Sequence, residues 1–395
     1  MIKYIESGDE SLCCGCRACE QSCPKEALTW EANKEGFFYP VLDKKKCIEC
    51  GICEKVCPME NKPMQNSIKD CFAVQHKNEE ILARSSSGGV FRLLADYVLE
   101  QDGYVVGCIL DENNRPILKM TKSIENLNKM QGSKYLSSDT KDVYKQIKEI
   151  LKKGDKVLFT GAPCQCAGLL KFLKKSYDNL WTADFLCHGM PSQKIFDMYI
   201  KSLEKKNNSH ITEIYFRDKE KRGWGLAFSY KNGKGEKKIN VGGTDPYQYG
   251  FVQGYFNRYS CYTCPFRGEK RLTDFTFCDF WGVENYNTNL NLEKGVSAVT
   301  LNTEKARNLK ENLEERAIWV QTEKEHVAKE NPSLLIEEIE KIPELRKKIV
   351  YILEEEGWNK TAKKHFRISK YCFRKIWYSM PRCVVKSIKK IKGGK

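Results

Sequence analysis

Cys13, Cys16, Cys19 and Cys23, closed by Pro24, satisfy C-x2-C-x2-C-x3-C-P, and the pattern recurs as Cys47, Cys50, Cys53, Cys57 and Pro58. Thiolates so spaced are iron–sulfur ligands. Three close together take three corners of a cubane, and the fourth corner falls to a cysteine that the loop cannot fold back to deliver. The recurrence marks an internal duplication whose halves exchange ligands. It assigns Cys13, Cys16, Cys19 and Cys57 to one 4Fe-4S cluster and Cys47, Cys50, Cys53 and Cys23 to a second. Cys14 falls outside the spacing and reads as a non-ligand. Tetrahedral zinc competes for C-x2-C pairs, but two runs of four, each ending in Pro, fit it poorly.

Three further places carry chemistry. In Thr160-Gly161-Ala162-Pro163-Cys164-Gln165 a strand ends, glycine turns the chain and Pro163 takes the first position of a helix, so Cys164 lies in the first turn, where the dipole favours a thiolate. Cys187 follows a second strand. If the two strands are parallel members of one sheet, both cysteines emerge on its carboxyl edge, where open α/β sheets bind ligands. With the pair Cys261-x2-Cys264, closed by Pro265, they make four thiolates for a third 4Fe-4S cluster, with structural zinc as the alternative occupant and a catalytic or simply buried thiol as the alternatives for Cys164. The third place is Ser85-Ser86-Ser87-Gly88-Gly89 ahead of an apolar helix. Its backbone N–H groups and helix dipole suit a phosphate such as a flavin pyrophosphate, and an ordinary serine N-cap is the plainer reading. His188 is a candidate proton donor or a hydrogen-bonded wall residue. Cys71, Cys108, Cys166, Cys278, Cys372 and Cys383 lack paired spacing and read as apolar filler.

Two kinds of element must position these groups. Residues 1–62 form an α+β ferredoxin-like module, and a polar stretch over residues 61–70 links it to residues 70–345. There, short apolar runs at residues 71–74, 104–110, 156–160 and 181–186 alternate with helical patterns at residues 91–99, 143–151 and 195–203. That alternation predicts an α/β domain with a mixed, partly parallel sheet. Residues 211–241 read as two or three strands. Nineteen cysteines in 395 residues, in tight ligand spacings and with no secretory signal, argue for metal rather than disulfides, and for the cytoplasm. No run approaches the roughly 20 apolar residues that span a bilayer.

The series Ser85 to Phe91, Gly132-Ser133-Lys134-Tyr135, Thr160 to Gln165, Cys187-His188-Gly189, Phe216-Arg217-Asp218-Lys219 with Gly223-Trp224, Cys261-x2-Cys264, and Asp274 through Asp279-Phe280-Trp281-Gly282 resembles the coenzyme F-420 hydrogenase/dehydrogenase beta-subunit family over roughly residues 70–300. The resemblance implies an FAD-binding α/β domain with its own 4Fe-4S cluster, relaying electrons between iron–sulfur centres and a two-electron acceptor. By position it places Ser86, Ser87, Gly88, Gly89, Ser133, Lys134, Tyr135, Thr160, Gly161, Pro163, Gln165 and Arg217 at or near the flavin. Cys278 stands where the family often has Gly. The ferredoxin-like start is similar to bacterial members, some encoded with polysaccharide-biosynthesis enzymes.

Residues 346–395 read as a basic helical tail. From Thr361 to Lys395 it has no acidic residue and interleaves Phe366, Tyr371, Phe373, Trp377 and Tyr378, a composition suited to the anionic inner face of a membrane or to a solvated segment. The net charge of +15 favours acidic partners, and no nucleic-acid-binding motif accompanies it. The expected protein is an iron–sulfur flavoprotein oxidoreductase with a ferredoxin-like redox partner and a small-molecule substrate. A non-catalytic electron-transfer subunit feeding a partner enzyme is the alternative.

Overall fold

The two cysteine loops fold alike. Each leads into a one-turn helix, Ala18–Gln21 and Ile52–Lys55, and equivalent positions share left-handed backbone: Gly15 and Glu49 at φ 77° and 52°, Arg17 and Gly51 at φ 61° and 69°. Backbone of this kind makes concave, N–H-lined loops suited to anionic iron–sulfur groups. Between the loops, β1 (Leu28–Ala32) and β2 (Phe38–Leu42) form an antiparallel hairpin. A small core of Ile2, Cys19, Leu28 and Cys57 joins loops and hairpin. The computed structural model describes residues 1–221, 223–241, 244–286, 289–337 and 341–366.

The larger part of the chain is built on eight strands. These are β3 (Asp70–His76), β4 (Tyr104–Leu110), β5 (Pro116–Thr121), β6 (Val157–Thr160), β7 (Leu180–Phe185), β11 (Phe275–Asp279), β12 (Ser297–Leu301) and β13 (Ala317–Thr322), in spatial order β13-β3-β12-β11-β7-β6-β4-β5. The central four, β4, β6, β7 and β11, are parallel, and the flanking pairs are antiparallel, so the sheet is mixed as expected. Side chains alternate between faces. Leu158 points into one core with Val105, Ala183 and Val299, while its neighbours Val157 and Phe159 point into the opposite one.

The helix Val90–Glu100 covers the first face. Gly89, at φ 86°, starts it, and Val90, Leu93, Leu94, Ala95 and Val98 recur at helical spacing and are buried. Each large apolar side chain among them contributes about 1.5–3 kcal/mol. The helices Val143–Lys152 and Pro163–Leu173 cover the opposite face over β4 and β6. A separate three-stranded sheet, β10 (Lys237–Val241), β9 (Ala227–Asn232) and β8 (Ile211–Tyr215), packs with the helix Gln193–Asn207.

The start of the expected tail lies inside this last core. Residues Ile349–Lys364 form a helix kinked at Gly357, and Leu353, Trp358, Ala362 and Phe366 are buried among Tyr199, Tyr247 and Phe256. Residues 367–395, with Tyr371, Phe373, Trp377 and Tyr378 of the basic, aromatic tail and with Cys372 and Cys383, lie outside the described residues. Among the described residues no helix is long and apolar enough to cross a membrane.

Candidate functional site

The second set of ferredoxin-like cysteines encloses a hollow. A cavity of about 360 Å³ is lined by Cys23, Cys47, Cys50 and Cys53, with Leu28, Leu42, Ile48 and Ile52 completing an apolar wall. Cys50 is exposed, so this site faces solvent. The first set lies deeper, with Cys16, Cys19 and Cys57 all buried. Burial pushes the Cys19 thiol well up, and the nearby sulfurs of Cys13 and Cys57 push it further. Burial likewise pushes Cys57 up to about 12. Cys57 thus lies close to Cys13 and Cys19 of the first loop. Thiols held so close ionise only if a cation compensates them, which suits residues that bind iron.

Cys164, Cys187, Cys261 and Cys264 come together at the carboxyl edge of the sheet. β6 and β7 are parallel neighbours. Pro163 and Cys164 open the helix after β6, Cys187 lies two residues beyond β7, and Cys261 closes a single 3-10 turn, Tyr259–Cys261. Burial raises the Cys187 thiol, and Cys261 and Cys264 add to it. Burial followed by Cys264 pushes Cys261 up to about 12. Cys164 feels Cys187 and Cys264. A tetrahedral zinc with Zn–S of about 2.3 Å would draw its sulfurs to roughly 3.8 Å from one another. Among the described residues no three His, Cys, Asp or Glu side chains close on a single ion in that way.

Long-range bonds hold this edge. Buried Arg271 pairs with buried Asp184, Nη2 to Oδ2 at 2.9 Å. It also donates to the Phe266 and Gly268 carbonyls, fastening the loop after Cys264 to the strand before Cys187. Gly189, at φ 142°, lies against the Asn257 amide, which would meet a Cβ there at 2.1 Å. Asn257 donates to the His188 carbonyl at 3.1 Å. His188 itself bonds the Val252 carbonyl through Nε2 at 2.9 Å and meets the Phe251 ring edge-on, the setting of a wall residue.

The first and third cysteine sets adjoin. The helix that carries Cys164 packs on the loop that carries Cys16. A Cβ on Gly168 would stand 2.9 Å from Cys16 Cβ and 3.0 Å from its Sγ, so only glycine permits this approach. Thr140 donates to the Cys16 carbonyl at 3.1 Å, and Arg17 pairs with Asp139 at 2.5 Å. Cys14, the one cysteine outside the spacing, acts on the thiols of both Cys16 and Cys164 and so lies near two sets.

The Ser/Gly loop has a dual character. Gly88 donates to Ser297 Oγ at 2.9 Å, and a Cβ there would meet the Val74 carbonyl at 2.1 Å, so this glycine serves packing on β3 and β12. Ser87 Oγ donates to the Val296 carbonyl. Ser86 Oγ accepts from the backbone N–H of Ser133 at 2.7 Å. Among the described residues, the backbone N–H groups of Ser86, Ser87 and Gly89 donate to no protein acceptor. Arg217 grips Asp279 with both nitrogens, at 2.6 and 2.9 Å, and donates to the Tyr135 hydroxyl and the Ser86 carbonyl. Ser86, Ser133, Tyr135 and Arg217 are thus one assembly.

Thr160 and Gln165 are engaged elsewhere, on the Val106 carbonyl and on Ser138 with Ala162. Gly161 meets the Phe159 ring and Gln165. Lys134 Nζ binds the carbonyls of Lys129, Met130, Gln131 and Gly132, and burial lowers it to about 8. Lys219 binds the carbonyls of Leu82, Ser87 and Lys294, and burial together with Arg217 lowers it to about 7. Trp224 stacks on Trp281 at 4.6 Å and donates to Asp279. Sequence reasoning had singled out neither Lys219 nor Asp279 as site residues, although both lie inside the motifs quoted for the family resemblance. For Arg258 and Arg271 no spacing signal existed.

Residues 12–61 match the family model described as 4Fe-4S dicluster domain, and residues 154–326 match the one that describes the C terminus of the Coenzyme F420 hydrogenase/dehydrogenase beta subunit. No curated protein is similar enough to match the chain. Among solved structures, a chain of the F420-reducing NiFe hydrogenase complex from Methanosarcina barkeri, studied by xenon derivatization, is similar over 76% of this chain and 92% of that one. The identity is 17% and the TM-score 0.44, a likeness that carries no statement about chemistry. The chain thus joins an iron–sulfur dicluster domain at its start to a domain that matches the C terminus of the coenzyme F420 hydrogenase/dehydrogenase beta subunit.

Proposed function

We propose that the chain is an iron–sulfur flavoprotein oxidoreductase. A ferredoxin-like partner exchanges electrons at the solvent-facing set Cys23, Cys47, Cys50 and Cys53. The set Cys13, Cys16, Cys19 and Cys57 relays them to Cys164, Cys187, Cys261 and Cys264, and a small molecule is reduced, or oxidised, at an FAD beside Ser86–Gly89. The observation that carries this reading is the order of the three cysteine sets: exposed, then buried, then under the sheet edge, the last two joined through Gly168 and Cys14. Such an order moves electrons inward from a surface.

The flavin part rests on the donors left over in the wall. Free N–H groups at Ser86, Ser87 and Gly89 are donors of the kind a pyrophosphate takes, and Lys219, engaged on the Ser87 carbonyl, braces the loop from behind. FAD bound there would supply the conversion between one-electron and two-electron steps. The protein's own contribution is placement. Arg217, neutralised by Asp279, pins the Ser86 and Tyr135 segments together rather than offering a spare charge to a ligand. The polysaccharide link implied by the family resemblance names a first substrate class to try.

Anaerobic purification with iron, sulfide and flavin quantitation tests the reading. About twelve irons and one FAD are expected on the cluster count. About eight irons with no flavin would support a non-catalytic relay instead, and stoichiometric zinc would displace the third cluster.

A further inference from the structure

Among the described residues four arginines are buried, and three have a carboxylate: Arg217 has Asp279, Arg271 has Asp184 and Arg346 has Glu35. Arg258 is 2% exposed and forms no ion pair with a carboxylate among the described residues. Its Nε donates to the Cys13 carbonyl at 2.7 Å, and its Nη2 donates to the Phe38 carbonyl at 2.8 Å and to Cys13 Sγ at 3.7 Å. The guanidinium lies 3.8 Å over the Tyr39 ring. Gly15 makes room for it, since a Cβ there would stand 3.1 Å from Nη1.

Carbonyls and a ring solvate a buried cation but do not neutralise it, and an unpaired buried ion costs several kcal/mol. Besides Tyr39, the ionisable groups acting most strongly on Arg258 are the sulfurs of Cys13, Cys14 and Cys261. A 4Fe-4S cluster held by four thiolates is anionic, and it becomes more so by one charge on reduction. Arg258 also stands three residues before Cys261, whose N–H bonds the Arg258 carbonyl at 2.9 Å.

From this geometry we infer that Arg258 is the resident counter-ion of the first cluster, a positioning residue whose fixed charge favours the cluster's reduced state and ties it to the Cys261 loop. One electron arrives and adds one negative charge, the guanidinium stays protonated, and no bond breaks. The inference rests on the cluster reading above.

The test compares anaerobic wild-type protein with Arg258→Gln and Arg258→Lys, by iron content first and then by redox titration followed by electron paramagnetic resonance. Arg258→Gln should keep its iron while the reduced-to-oxidised ratio of one cluster, at fixed potential, falls about tenfold, a downward shift of about 59 mV for a one-electron couple. Arg258→Lys keeps the charge and should shift the ratio less than threefold. Full iron in Arg258→Gln with every midpoint within threefold of wild type overturns the role assigned to Arg258. Should Arg258→Gln lose iron, Arg258→Lys decides: a shift under threefold supports the inference, and a tenfold one overturns it. Wild-type protein without the first cluster's iron overturns the underlying cluster reading, a result distinguishable from intact clusters whose midpoints do not move.

Discussion

Replacing Arg271 by Met tests how the sheet edge is held. Arg271 and Asp184 have side chains 2% and 1% exposed and meet at 2.9 Å, so the substitution strands a carboxylate in the interior. Breaking a buried pair by removing one partner costs about 3–5 kcal/mol. The Thr276 hydroxyl, at 2.5 Å from Asp184 Oδ1, remains as a partial partner and puts the loss toward the lower end. At roughly 2–4 °C per kcal/mol, the thermal midpoint should fall by about 6–15 °C. The Phe266 and Gly268 carbonyls also lose their donor, so the loop carrying Cys264 should loosen and the variant should hold about four fewer irons on the proposed cluster count. Anaerobic circular dichroism melts and iron assays measure both. The double variant Arg271→Met with Asp184→Asn removes the stranded charge and should recover more than half of the lost stability. A single variant that melts within about 2 °C of wild type, or a double variant no better than the single, would refute the account.

Three further outcomes follow from the same geometry. Cys50→Ser should cost about four irons while Cys14→Ser leaves iron content unchanged; equal losses in the two would contradict the ligand assignment. Asp279→Asn removes the charge that neutralises Arg217 and should lower stability by about 3 kcal/mol with loss of any co-purifying flavin; unchanged flavin content and an unchanged urea midpoint count against the assembly. Lys219 is lowered to about 7 in the folded protein, against about 10.4 in an unfolded chain. The unfolded state therefore binds more protons across that window, and stability should rise from pH 7 toward pH 10 because removing the proton that folding must strip becomes easier. In Lys219→Met this portion of the slope should vanish in urea midpoints taken at pH 7 and pH 9.5; an identical slope would exclude Lys219 as its source.

Much of the iron chemistry was legible in the residues because it is local. Ligand spacing within each loop and a proline after the last cysteine are properties of a dozen consecutive residues, and the duplication even reappears as matching left-handed positions at Gly15 with Glu49 and Arg17 with Gly51. The alternation of apolar runs with helical patterns likewise foretold β4, β6 and β7 and the helices between them. The end of the core was not legible. A run of Lys and Arg after Gly357 reads as a membrane-facing or solvated segment, yet Trp358 and Phe366 are buried, since helical periodicity in a charged segment shows itself only against the partner it packs on.

Pairings between distant residues were decided by tertiary structure alone. Arg258 meets Cys13 across 245 positions, Arg271 meets Asp184 across 87, and Arg217 meets Asp279 across 62. No local pattern encodes which buried cation receives a carboxylate and which is left facing sulfur. That choice arises when strand order and loop closure bring the charges out of water together, where an unpaired one becomes costly. The chain's order thus determined what can bind iron, and the folded sheet determined which cysteine sets adjoin and which charge lies between them.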